Sequence, residues 1–396
     1  MDNVLINDLL LDKIFSYVGS IRQLISIERV CKKWQTASRR EQKRRSKSCS
    51  FQFNHFYYLF PLETVIPSDN EISYESKPFV FENYEAIQRQ LVKCLKENVS
   101  FKPNKLLMFN AKFTRPSVWQ NAIQLNSIIK YLPHDCQLIH FDSPTIIGTP
   151  YQTMVPHPAN ESLAGISYLL LPNISSVGIN VYYDEKIIEH LVPSNDLKCI
   201  LFFESLCYRK ELCSKKYHEY INQVIEKMNY QVAFGGTRVN AIDIIKGNEK
   251  SQANKSCAVI TFSGKNVKAS SVTLRTHGTQ TTCQLLTDFK SKLQFDPDDT
   301  SSSVTLAFVF CRIIPYRCIG PRYCHFNEGI PSKLIHKIFP KTYFMGTINL
   351  WNYGHDYWPE FLDDDNSQEP FRKENITQSK ALQADTTIIV LINISK

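Results

Sequence analysis

No uninterrupted apolar run of the roughly 18 residues that a membrane helix needs occurs in this chain, so no segment reads as a span. The opening MDNVLINDLLLDKIF carries early charges and no small-residue cleavage site, so it does not read as a signal peptide. The expectation is a soluble intracellular protein of cytoplasm and nucleus, with no membrane partner. Among twelve cysteines there is no C-x-x-C pair. Only Cys207 with Cys213, and Cys318 with Cys324 followed by His325, lie close together, and their five-residue gaps suit no common zinc knuckle. Reduced thiols, no metal and no cofactor are therefore expected. The phosphate-binding, nucleophile-elbow, zinc-protease and dinucleotide motifs are all missing. Asp363-Asp364-Asp365 lacks the alternation of a calcium loop and reads as a solvated acidic turn.

Hydrophobic residues make up 43% and charged residues 21% of the 396, which is ordinary globular composition in a chain too long for one typical core. The formal charge of +8 is concentrated in one place, because Arg39 to Lys47 (RREQKRRSK) holds six Lys or Arg against one Glu. Such a run is a solvated linker or helix face, or else a nuclear-import or phosphate-contacting segment. The remainder is near balance, and no nucleic-acid partner is expected.

At the N-terminus, Asn7 or Asp8 can cap a helix in which Leu10, Leu11, Ile14, Phe15 and Val18 recur at three- and four-residue steps. Ser20 and Gln23 form a capping box for a second helix. The stripe then slips in phase, and Ile27, Val30, Cys31 and Trp34 carry a bend or a third helix. Three short helices bury too little apolar surface to be comfortable alone, so this module needs a partner or a neighbouring domain.

Beyond the basic run, alternating strands and amphipathic helices follow. Segments 105–111, 137–142, GISYLLL and VGINVYY read as strands, with 117–132 a helix. The same order recurs from KCILFFES onward, with Lys105 to Lys198 offset by 93, Cys136 to Tyr230 by 94 and Leu163 to Ser256 by 93. A mixed-sheet α/β body built from an internally repeated β-α-β-β-β unit is the expectation. A degraded third copy spans 303–351 and closes with TTIIVLINI, a strand apolar enough to be buried on both faces.

Leu5, Asp8, Leu9 and Leu10, then Ile14-Phe15-Ser16-Tyr17-Val18, then Val30-Cys31-Lys32-Lys33-Trp34 resemble an F-box, with Ile6 standing where many F-boxes have proline. The resemblance implies a small all-α module that docks on the Skp adaptor of a cullin-based ubiquitin ligase. Its apolar anchors would be Leu5, Leu9, Leu10, Ile14, Phe15, Val30, Cys31 and Trp34. The body resembles a FIST domain, joined to an F-box in proteins of the F-box only protein 22 type. That likeness rests on Ala233 to Gly236, Val259 to Gly264, Ala307 to Cys311, Phe339-Pro340 with Phe344-Met345-Gly346, and Thr386 to Ile394. It implies an F-box with basic linker over 1–48, an N-terminal lobe over 49–195 and a C-terminal lobe over 196–396. Such a chain would be the non-catalytic receptor of a Skp-cullin-F-box ligase, presenting a protein substrate to the other subunits. The alternative is a sensor whose body binds a small metabolite. Cys311, beside Arg312 and upstream of Arg317, Cys318, Arg322, Cys324 and His325, is the candidate reactive thiol, or else a buried thiol flanked by surface arginines.

Overall fold

The computed structural model describes residues 7–18, 20–47, 52–57, 88–89, 91–97, 99, 101–111, 125–144, 146–148, 160–162, 165–206, 211–246, 254–275, 279–312, 331–349, 351–357, 382–384 and 386–395. The chain opens with three helices, α1 (Asp8–Ser16), α2 (Ile21–Ile27) and α3 (Lys32–Lys47). Asn7 supplies the α1 cap, its Oδ1 accepting from the backbone N–H of Leu9 at 3.0 Å and of Leu10 at 3.3 Å. Ser20 and Gln23 close both halves of the α2 capping box.

The third helix is longer than its apolar stripe suggests, because the basic run forms its second half instead of a linker. Ala37, Ser38, Glu41 and Arg45 fall on one face and are buried, while Arg39, Arg40, Lys43 and Arg44 face water. Arg45 donates from Nε to Glu41 Oε1 at 2.8 Å, and its Nη2 reaches the carbonyls of Phe15 at 3.1 Å and Val18 at 2.6 Å. The carboxyl end of α1 is thereby tied to α3. On the exposed side, Arg40 pairs with Asp12 at 2.9 Å.

The body is mixed α/β with three mixed sheets. The first runs β1 (Gln52–Tyr57), β6 (Gly165–Pro172), β2 (Pro103–Ala111), β3 (Gln137–Ser143), β10 (Ala241–Lys246). The second runs β16 (Leu382–Ala384), β15 (Trp351–His355), β9 (Ala233–Val239), β8 (Leu197–Ser205), β11 (Cys257–Ser263), β7 (Gly178–Tyr183). The third runs β12 (Val267–Arg275), β17 (Thr386–Ser395), β13 (Ser303–Arg312), β14 (Tyr343–Asn349), β4 (Ile146–Gly148), β5 (Asn160–Ser162). Each sheet is built on one parallel pair: β2 with β3, β8 with β9, and β13 with β14. The first strand of each pair takes an antiparallel neighbour in β6, β11 or β17. The second strand takes one in β10, β15 or β4.

Period-two alternation sends one face of every sheet to a common interior and the other to a helical layer. Leu107, Phe109, Phe203, Phe310 and Val390, from all three sheets, belong to the shared core. Phe109, Phe203 and Phe310 are each third from the carboxyl end of a central strand, and their rings meet at centroid distances of 5.7 Å (Phe109 to Phe203) and 5.8 Å (Phe203 to Phe310). Outside, the third sheet packs on α7 (Thr279–Ser291) and α8 (Pro331–Ile338). The second sheet packs on α5 (Glu185–His190) and α6 (Glu211–Lys227). The first sheet shares a cluster with α4 (Leu125–Ile129), helical residues 91–97 and the N-terminal helices.

The two body lobes expected from the sequence are not separate in the sheets. Strand β7, from before residue 195, pairs with β11, while β10 and β14, from after it, pair with β3 and β4. At the end of the expected third copy, β14 lies in the third sheet, whereas Trp351 already begins β15 in the second. The closing strand does lie buried on both faces, with Val390 and Ile392 in the shared core and Ile389 and Leu391 under the helices.

Candidate functional site

The α1 to α3 module has an inner and an outer apolar surface. Leu11 and Phe15 sit one helical turn apart on α1 and are buried together with Leu24 and Ala37. Phe15 meets the Trp34 ring edge-on at 5.6 Å, with 74° between planes. Phe15 is therefore a core residue, 1% exposed, and no partner reaches it in this arrangement. Trp34 is half-buried against the same cluster. Both were expected as docking anchors, and an aromatic on an amphipathic helix serves a core as readily as a partner's groove.

The other expected anchors face outward. Leu9 is 82% exposed, Ile14 42% and Val30 60%, Leu10 is partly exposed, and Cys31 is exposed. Leu5 lies outside the described residues. Tyr17, 78% exposed, was not among the anchors, yet it follows Leu10 and Ile14 at the seven- and three-residue steps of one helical stripe. The module thus leaves a second apolar stripe in water, on a different side of α1 from Leu11 and Phe15. On its body side, the Arg22 guanidinium of α2 lies 5.3 Å from the Tyr131 ring centroid, a cation–π contact.

The candidate reactive thiol does not stand. Cys311 is 2% exposed, on the helix-facing side of β13 among Val309, Phe339 and Phe344, out of reach of an electrophile. Arg317, Cys318, Arg322, Cys324, His325 and Cys207 lie outside the described residues. So does Asp363 to Asp365. No group of three His, Cys, Asp or Glu able to hold a metal occurs among the described residues.

Two polar sites in the body carried no motif. At the carboxyl ends of the parallel strands β8 and β9, Arg238 Nε donates to Glu204 Oε2 at 2.6 Å and lies 3.0 Å from the Tyr353 hydroxyl. Tyr353 also donates to Glu204, and His218 Nε2 stands 3.6 Å from that carboxylate. Burial would raise the Glu204 pKa, yet His218, Tyr353 and Arg238 together hold it down to about 2. Burial, and then the Glu204 charge, push the Tyr353 hydroxyl well above its ordinary range. The result is a fixed carboxylate and a fixed phenol, a network that fastens β15 to β8 and β9.

The second site lies at the opposite end of the strands. Lys105, third residue of β2, is half-buried and lines a cavity of about 170 Å³ together with Asn104, Asn173 and Asn180. Leu171, Val177 and Ile179, from the edge of the shared core, also border it. Removal from water, together with the like charge of Lys246, lowers the Lys105 pKa.

No family model matches this chain, and no curated protein matches it. No helix among the described residues is long and apolar enough to cross a membrane.

Proposed function

We propose that this chain is the substrate-recognition subunit of a Skp-cullin-F-box ubiquitin ligase, acting in the cytoplasm and nucleus. The helical module docks on the Skp adaptor, and the α/β body captures the protein substrate. The observation that carries this reading is the stripe of Leu9, Leu10, Ile14 and Tyr17 with Val30, apolar side chains left in water on a helical module already closed on its other face. Apolar surface that a chain does not cover itself is surface a partner gains by covering, at about 25 cal/mol per Å². A helical stripe of this spacing fits the groove of an adaptor.

The body fits the same reading. A FIST pair built on a repeated β-α-β-β-β unit is supported by the common strand order of the three sheets and by the equivalent places of Phe109, Phe203 and Phe310. A receptor of this kind holds its client close to the ubiquitin-charged subunit and raises effective concentration, with the chemistry left to other subunits. A second reading, the body as a small-ligand sensor, has in its favour the cavity beside Lys105.

Docking is tested by co-purification with the Skp adaptor. Leu9→Ala with Ile14→Ala and Val30→Ala should abolish capture while leaving the melting temperature within a degree or two of the parent, since all three side chains are exposed. Capture unchanged in the triple variant, or no capture by the parent chain, removes the ligase reading.

A further inference from the structure

Lys105 is an unusual cation. It interrupts a strand whose next six residues are all buried, and its own side chain is half-buried. Among the described residues no carboxylate pairs with it and no hydrogen bond is made by its ammonium. The ionisable groups that face it are Cys136 and Lys246. The Cys136 thiol is pushed up to about 12 by burial and then by Asp135, so it is neutral at physiological pH and is no counter-ion. Lys246 is a like charge. It stands in a row with Lys105 across the sheet, because both register with Gln137 on β3. The nearby Asp135 is engaged by Lys102 at 2.9 Å.

A positive charge partly withdrawn from water is unfavourable where no described residue supplies an opposite charge, and the fold has the space to admit one. The cavity beside Lys105 has about 170 Å³, room for about five water-sized volumes. Its wall is mostly polar, with Asn104, Asn173 and Asn180 beside Leu171, Val177 and Ile179, and it holds no acidic residue. An amide presents N–H donors as well as a carbonyl, so this wall can complete the coordination of an anion that the ammonium neutralises. At about 170 Å³ the cavity admits a small anion and no large one. With no carboxylate in the lining, nothing there would hold an ammonium, so a zwitterion or a polyamine is a poor match.

We infer that the cavity beside Lys105, lined by Asn104, Asn173 and Asn180, is a binding site for a small monocarboxylate. This deepens the second reading of the body and does not depend on the docking surface, which lies on the helical module.

The test uses the full chain and sodium propionate, with sodium chloride at equal ionic strength as reference. Propionate should raise the melting temperature in a saturable way beyond chloride. Lys105→Met should weaken this response by about tenfold or more, and Lys265→Met, at an exposed lysine, should leave it unchanged. In parent protein whose lysines carry 13C-methyl groups, the Lys105 resonance should shift on addition of propionate and its pKa should rise, which keeps the test decisive if Lys105→Met does not fold. No propionate response beyond chloride overturns the site. A response retained in Lys105→Met, or one that leaves the Lys105 resonance unmoved, overturns it too and leaves ligand binding elsewhere in the body standing.

Discussion

The Arg45 guanidinium lies 2.6 Å from the carbonyl oxygen of Val18, 27 residues away in the chain. A helix end leaves carbonyls without partners inside the helix, and here a side chain from the far end of another helix supplies the donor. The same guanidinium pairs with Glu41, 4% exposed, so the module carries a buried ion pair that also serves as a clasp. Arg45→Met leaves Glu41 and the carbonyls of Phe15 and Val18 without that donor. Arg44 still pairs with Glu41 at 2.7 Å, so the expected cost is about 1–2 kcal/mol, read as faster hydrogen exchange in α1, with the body sheets unaffected.

Two buried groups set separate acid limits on stability. Burial lowers the His355 pKa to about 4, even though its Nε2 lies 2.9 Å from the Val232 carbonyl. The unfolded chain therefore takes up this proton first, and the stability His355 contributes is full above about pH 6.5 and lost as pH falls toward 4. Glu204, held down to about 2, contributes stability that is full above about pH 4.5 and lost as pH falls toward 2. Each effect approaches about 3 kcal/mol. Urea midpoints measured against pH should lose slope in the upper window for His355→Gln and in the lower window for Glu204→Gln. Identical slopes in parent and variants would show that other groups govern acid unfolding.

Thiol reactivity should follow burial, not flanking arginines. Cys31 is exposed, whereas Cys311 is enclosed, and burial lifts the Cys199 pKa well above its ordinary value. In native protein exposed to iodoacetamide, peptide mapping should find Cys31 labelled first of these three. Cys311 and Cys199 should be labelled only after denaturant is added. Early labelling of Cys311 would mean that β13 opens far more readily than its packing implies.

Close contact between parallel strands sets a steric limit at Gly346. A Cβ there would run into the Val309 carbonyl on β13, and Gly236 faces the Phe202 carbonyl on β8 in the same way. Gly346→Ala must push β13 and β14 apart. The expected loss is about 1–3 kcal/mol in chemical denaturation. Unchanged stability would mean that the strand pair yields without strain.

Much of the body was legible because its strands are short, β-rich and punctuated. GISYLLL, VGINVYY and KCILFFES occupy β6, β7 and β8 almost residue for residue. Strand β10, AIDIIK, and helix α7, TQTTCQLLTDFKS, were missed. The first is too brief to show a period beside β9, and the second has few apolar residues among its polar ones. Residue type placed Ser20 and Gln23 as a capping box and offered Asn7 or Asp8 for α1, of which Asn7 serves, and periodicity picked out the apolar positions of α1. It could not tell which of two stripes faces inward, so Phe15 was assigned to a partner instead of the core. Neither the Glu204 network nor the Lys105 cavity has a local signature, since each is assembled by strand order, which a sequence does not display.

The crossing of β7, β10 and β4 between sheets means that a polypeptide severed near residue 195 would yield two fragments, each missing strands that the other carries. Coexpressed, they would reassemble through those three pairings, so this backbone lends itself to fragment complementation rather than to dissection into modules.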